Sequence, residues 1–358
     1  MTGHVLDPAA LEAPSRPAGY TPSWMTAAIF SAHPDAVVSG VTFDRTLAGT
    51  TNRSVARLTY SAGAGPETVV VKTQGAIYRR LVLSSLGVIE PEVHIYRMRD
   101  QLPLEIPLAY FATIDRPRRR SIVVMEDLNL RSATFNDATM KLDVETVAQG
   151  IDSLARMHGK FWGLSGPGMP DVSWAERAWR MRGWSLFVGL GIRSGIRKMS
   201  DALPNELRDR PKVTKAWRSY MEGVDRGVPT LLHGDAHVGN TYSLPDGTLA
   251  WLDWQVARGG SWHHDFGEFL VSALDIEDRR NHERNLLERY LDGVAQAGGA
   301  PPSFDEAWQL YRQSIVYGLS GWLTVAGLGG YQTPTLCRAN IDRYATAFVD
   351  LDTGSLFG

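Results

Sequence analysis

The spacing of apolar residues changes character once along the chain. From Val37 onward, VTFDRTLAG, SVARLTYSAG and ETVVVKTQG are short β-branched runs divided by Gly-, Asn- and Pro-bearing turns, which predicts an antiparallel meander. A helix is expected over about 90–100. IPLAYFATID and SIVVMEDL then read as two further strands joined by the charged turn RPRRR. After Leu128 the period lengthens. Val147, Ile151, Leu154, Met157, His158 and Phe161 recur on one face of VETVAQGIDSLARMHGKFW at helical spacing. Helical texture continues to about Ala347, broken only around 228–262. The expected architecture is α+β: a loosely held Pro- and Ala-rich extension over 1–36, a small antiparallel strand-rich lobe over 37–127, and a larger, mainly helical lobe over 128–358.

Composition narrows the class without naming it. The 358 residues suffice for two separate cores, and 44% hydrophobic with 21% charged residues is ordinary globular usage. A formal net charge of −2 gives no global sign of nucleic-acid binding. A lone cysteine, Cys337, excludes an internal disulfide framework and fits a reducing cytoplasm. MTGHVLDPAALEAP lacks a basic n-region and an apolar h-region, so no secretory leader is expected. The uncharged stretch SIVYGLSGWLTVAGLGGY at 314–331 has the length of a spanning helix. Its five glycines, two serines and one threonine, without flanking basic clusters, predict a buried, close-packed helix and no membrane contact.

The chemistry concentrates in LLHGDAHVGNTYSLPDGTLAWLDWQ, where two strands flank a Pro245-Asp246-Gly247 turn. A two-residue Asp246-Gly247 loop sets Pro245 opposite Thr248, and the same register sets Asn240 opposite Asp253. Directly opposed residues have Cβ atoms roughly 4.5–5.5 Å apart, close enough for both side chains to reach one ion. An amide oxygen and a carboxylate are hard ligands of the kind Mg²⁺ takes. Asp235, five residues before Asn240, is expected to orient an acceptor hydroxyl and accept its proton.

Further upstream, Lys72 ends the apolar run VVVK. An ammonium on a central strand is costly without anionic partners, which polyphosphate oxygens and one carboxylate would supply. Before that strand, Gly49, Thr50, Thr51 and Asn52 form a turn whose backbone N–H groups could cradle phosphates. It is neither a Walker A loop nor GxGxxG.

The pattern His-x-Asp-x4-Asn followed by Asp thirteen residues on resembles the catalytic loop and metal-binding Asp of protein kinases. The version here, HGDAHVGN then LDW, resembles the aminoglycoside phosphotransferase and choline-kinase superfamily more closely. The Glu-Asp-Leu of VVMEDLN resembles the ecdysteroid-kinase-like phosphotransferases in particular, as does LARMHGKFW. The resemblance runs in pieces from about Gly49 to Asp265. It implies a two-lobed protein-kinase-like fold, ATP or GTP with Mg²⁺, and transfer to an alcohol. It also implies Asp235 as base, Asn240 and Asp253 as metal ligands, and His233 as a scaffold residue of the loop. The adenine is then expected against backbone groups of Met125, Glu126, Asp127 and Leu128. Glu92 resembles the partner of Lys72, with Glu90 as rival. Asp265-Phe266-Gly267 spells DFG but lies too far from Asn240. By resemblance Asp265 braces the catalytic loop, and a helix N-cap is the competing reading. His237 matches the family's second histidine, its role open. Consecutive His263, His264 and Asp265 are not expected to share an ion.

Residues 177–226 fall where this superfamily varies with substrate. They hold twelve Lys/Arg against five Asp/Glu, and five tryptophans (Trp162, Trp174, Trp179, Trp184, Trp217) lie in or near them. If that segment lines the pocket, its charge disfavours a polycation and points to an uncharged or lipophilic alcohol. An outward, solvated basic face is the alternative. An aminoglycoside or macrolide kinase is the rival enzyme. A nucleotide-binding pseudokinase is the rival of another class, opposed by the presence of Lys72, Glu92, Asp235, Asn240 and Asp253 together.

Overall fold

The structure, a computed structural model, describes residues 11–14, 17–47, 52–73, 87–175, 184–224, 227–329 and 332–357. The chain separates into two compact units. One comprises residues 1–99 with 106–133, the other 100–105 with 134–358. The division therefore falls six residues beyond the expected boundary at 127, and a short piece of the strand-rich stretch belongs with the helical unit.

In the first unit, β1 (Val37–Leu47), β2 (Asn52–Ala62), β3 (Thr68–Thr73), β4 (Ala109–Asp115) and β5 (Arg120–Glu126) form one antiparallel sheet in the order β1-β2-β3-β5-β4. Strand alternation sends Val69, Val71, Ile122 and Val124 into a core shared with Trp24, Met25 and Ile29 of α1 (Pro22–Ile29). Residues 11–14 and 17–36 are thus fastened, not loosely held. Thr21 caps α1, Trp24 Nε1 donates to the Glu12 carbonyl at 2.8 Å, and the nearly buried Arg120 guanidinium donates to the carbonyls of Ala13 and Pro14. The helix expected near 90–100 is α2 (Pro91–Arg97).

The second unit holds α3 (Val144–Lys160), α4 (Trp184–Lys198), α5 (Arg210–Gly223), α6 (His263–Ala273), α7 (Ile276–Gln296), α8 (Phe304–Leu328) and α9 (Pro334–Asp350). Asp143 caps α3, and Ser303 with Glu306 forms a capping box on α8. The apolar face expected of α3 is fully buried from Val147 to Phe161. Among the described residues no helix is long and apolar enough to cross a membrane. The uncharged stretch of α8 packs instead on α4 at near backbone contact. A Cβ at Gly195 would overlap the Leu323 carbonyl, and one at Gly327 the Gly191 carbonyl.

Two small ladders interrupt the helices. β7 (Thr230–Leu232) pairs with β10 (Arg258–Gly260), and β6 (Thr134–Phe135), β8 (Thr241–Ser243) and β9 (Leu249–Trp251) form a three-stranded sheet. Both lie beside the segment 233–240.

Candidate active site

The hairpin β8–β9 closes with a three-residue loop. Leu244 N–H donates to Thr248 O and Gly247 N–H to Leu244 O, each at 2.9 Å, and Gly247 adopts φ +86. A left-handed glycine after a turn is the usual form of such loops. The extra residue moves the register by one: Thr241 faces Trp251, and Leu252 N–H donates to Asn240 O at 2.9 Å. Asn240 is thus opposite Leu252, and the expected direct opposition of Asn240 and Asp253 does not occur. Asp253 comes one residue later at φ 64, ψ 61, a left-handed conformation that turns the chain out of the ladder.

His233 organises the inside of the loop. Its ring is fully buried and packs on Trp254 at 4.4 Å and Trp251 at 5.5 Å between centroids. Nε2–H donates to Leu252 O at 3.0 Å, next to Asp253, while Nδ1 accepts the Asp235 N–H at 3.3 Å. Burial lowers the His233 pKa, against the opposing charges of Asp265, Asp235 and Asp253. The ring is therefore neutral at pH 7, as one donor and one acceptor require. Gly234 follows at φ +82, where a Cβ would overlap the Val256 carbonyl. Only glycine combines that backbone with that clearance.

Asp235 has 38% of its side chain exposed. Asn240 Nδ2 donates to its carbonyl oxygen at 2.8 Å and to its Oδ2 at 3.1 Å. His237 Nδ1 accepts the Gly239 N–H at 3.0 Å, its Nε2 lies 3.9 Å from Asp235 Oδ2, and its ring meets Trp322 edge-on at 5.4 Å.

One face of α6 supports this loop through its main chain. Asp265 Oδ2 accepts the His233 N–H at 2.6 Å and Oδ1 the Gly234 N–H at 2.9 Å. Glu268 Oε2 accepts the Ala236 N–H and Ser272 Oγ the Val238 N–H, both at 2.8 Å. Asp265 lies inside the first turn of α6 and is not its N-cap, a place held by Trp262. Burial alone would raise the Asp265 pKa, but the hydrogen bond from His158 Nε2 at 3.2 Å and nearby imidazoles bring it to about 2. His158 Nδ1 in turn accepts from Tyr290 at 2.6 Å. Glu268 and Ser272 were not singled out from the sequence, and His158 was read only as part of a helix face. The signal available was a polar stripe, Asp265, Glu268 and Ser272, at helical spacing on an otherwise apolar segment. His263, His264 and Asp265 do not gather. Asp265 faces the loop, His263 Nδ1 lies 3.4 Å from Tyr220, and the His264 ring packs on Tyr317 at 3.9 Å.

In the first unit, Lys72 Nζ pairs with Glu92 Oε1 at 2.7 Å, both side chains 6% exposed. Glu90 is instead engaged by Arg116 at 2.9 Å. At the end of β5, Asp127 accepts from Thr68 Oγ1 at 2.9 Å and from the N–H of Asn129 at 3.1 Å, capping a 3₁₀ turn over Leu128–Arg131. Met125 accepts from Tyr96 through its sulfur at 3.8 Å, and Glu126 pairs with Arg131 at 3.1 Å. Asn52 begins β2, while Gly49, Thr50 and Thr51 lie outside the described residues. So do Arg177, Arg180, Arg182, Trp179, Asp225 and Arg226, and the side chain of Trp184.

Among solved structures, the chain is similar to a candidate aminoglycoside phosphotransferase from Ralstonia eutropha JMP134, at 13% identity and TM-score 0.53, over 88% of this chain and 93% of that one. It is similar to the amicoumacin kinase hAmiN in complex with AMP-PNP, Ca²⁺ and Ami, at 16% identity and TM-score 0.50, over 87% and 88%. Choline kinase LicA from Streptococcus pneumoniae matches at 17% identity and TM-score 0.47, over 92% and 97%. For the first two, at these identities, the likeness is one of fold. No curated protein sequence is significantly similar to the chain. The sequence model of the phosphotransferase enzyme family, however, matches residues 47–309, a span that takes in Lys72, the segment HGDAHVGN and α6. The chain belongs to the phosphotransferase enzyme family, and it carries the kinase-like α+β fold of small-molecule phosphotransferases.

Proposed function

We propose that the protein transfers the γ-phosphoryl group of ATP, or of GTP, to a hydroxyl of an uncharged or lipophilic small molecule, with Mg²⁺ as the metal. The observation that carries this reading is the Asp235 carboxylate: reachable from solvent, oriented by the Asn240 amide, and mounted on a loop pinned by Asp265. In the reaction Asp235 accepts the proton of the acceptor hydroxyl as its oxygen bonds to the γ-phosphorus. The bond from that phosphorus to the bridging oxygen breaks, and its electrons leave with the nucleoside diphosphate.

The residues present fit a hard divalent cation. Asn240 commits Nδ2 to Asp235, which leaves Oδ1 as the amide's remaining ligand atom, and Asp253 offers a carboxylate beside the same loop. Bound Mg²⁺ would neutralise charge on the phosphate oxygens. Lys72, steadied by Glu92, would take phosphate oxygens directly. Asn52, with Gly49, Thr50 and Thr51, would cover the phosphates, and backbone groups over Met125, Glu126, Asp127 and Leu128 would receive the base.

The charge of residues 177–226 does not itself select the acceptor. Arg193, Arg197, Lys198, Arg208, Arg210, Lys212, Lys215 and Arg218 are all exposed, so the basic excess of 177–226 is, over its described part, a solvated surface. Its field is screened within about 8–10 Å at physiological salt. Trp217 is core. What still opposes a polycation is the use made of the carboxylates near Asp235. Asp265 and Glu268 are buried against backbone N–H groups and offer nothing to an ammonium. The test is ADP release across a panel of alcohols that includes kanamycin- and gentamicin-type compounds and a macrolide. Turnover of an uncharged or lipophilic alcohol is expected. Efficient turnover of an aminoglycoside or macrolide would replace this acceptor with an antibiotic. No turnover of any acceptor, with ATP still bound, would favour a pseudokinase.

A further inference from the structure

The peptide unit joining Asp235 to Ala236 is held at both ends. Its carbonyl oxygen accepts from Asn240 Nδ2 at 2.8 Å, and its N–H donates to Glu268 Oε2 at 2.8 Å. That plane sets the direction of the Asp235 Cα–Cβ bond. We propose that Glu268 is a positioning residue for phosphoryl transfer: with Asn240 it clamps the Asp235–Ala236 peptide and so aims the Asp235 carboxylate. The proposal rests on Asp235 being the base.

Glu268 is 6% exposed. Asp235 faces it from the loop, Asp265 from its own helix, Arg258 from β10, Tyr317 from α8 and Tyr344 from α9. Burial, followed by the charges of Asp235 and Asp265, holds its pKa well above the usual carboxylate value. As the neutral acid it still accepts the Ala236 N–H through one oxygen, and it adds no second negative charge beneath the base. Glutamine has the same shape and the same acceptor. Leucine has the volume without the acceptor.

The test uses the full chain with Mg·ATP and water as acceptor, read as ADP release, beside direct Mg·ATP binding. Glu268→Leu is expected to slow turnover roughly 10- to 100-fold, the scale of a small misplacement of a reacting group, with Mg·ATP affinity unchanged. Glu268→Gln is expected to restore most of that loss. Asp235→Asn is the reference. If it leaves the rate unchanged, the base assignment fails and the clamp falls with it. If Asp235→Asn is slow while Glu268→Leu matches the native rate, or if Gln is as slow as Leu, the clamp alone is wrong.

A second readout needs no turnover, should the leucine variant not fold. A carboxyl kept neutral in the folded chain loses stability as pH rises above its unfolded value of 4.5. The thermal midpoint of Glu268→Gln relative to native protein should therefore climb from pH 5 to pH 8. A constant difference would overturn the uncharged clamp.

Discussion

A base must stay within reach of its proton donor. As the proposed base, Asp235 would meet this with side-chain support from Asn240, while its own N–H is held by His233. Asp235→Asn keeps the side chain's shape and removes its capacity for a proton. Turnover should fall by roughly 10²–10⁴ while Mg·ATP affinity stays within a few-fold. Near-native turnover on a genuine acceptor would refute the assignment. At this scale the motif was legible in the sequence, because His233, Asp235, Asn240 and Asp253 stand at spacings that few other chemistries use. The choice between Glu90 and Glu92 was not. It depends on Arg116, which the chain brings alongside Glu90 from twenty-six residues away.

Elements decide where those residues end up. The two-residue loop expected at Asp246-Gly247 is compatible with the sequence. The three-residue form prevails because Gly247 takes the left-handed position and leaves Pro245 and Asp246 as the turn. Asn240 and Asp253 are then separated by a bend and do not face each other across a ladder. Asp253→Ala should abolish the Mg²⁺-dependent tightening of nucleotide binding. Calorimetry that finds the same Mg²⁺ dependence in the variant would remove Asp253 from the proposed metal site. The support from α6 was half visible: resemblance marks Asp265, but Glu268 and Ser272 look like ordinary polar residues until the helix is laid against the loop's N–H groups.

Over the whole molecule, acid should be felt early. His233 and His264 have lowered pKa values and His263 is pushed down to about 3, burial being the largest cause each time. The unfolded chain takes protons on these rings near 6.5 and the folded chain does not, so stability falls as pH drops below about 6.5. Asp265, at about 2, adds a further loss between its ordinary 3.8 and that value. Glu268 works the other way, losing stability above 4.5, but one carboxyl stands against three rings. Denaturant unfolding should therefore show a maximum near pH 6.5 and a clear decline by pH 5. A curve flat from pH 7 to pH 5 would mean that these rings are protonated in the folded state. The change from a strand-rich to a helical part was legible in the change of period, whereas the anchoring of residues 11–14 and 17–36 was not, since Arg120 reaches the Ala13 and Pro14 carbonyls from more than a hundred residues away. The α6 support also has a kinetic consequence. Loop amides ordinarily exchange with solvent in brief local openings, but those of His233, Gly234, Ala236 and Val238 are all bound to a helix that is itself buried. In deuterium they should exchange only when the helical unit opens as a whole, which would make this loop one of the slowest segments of the protein to label.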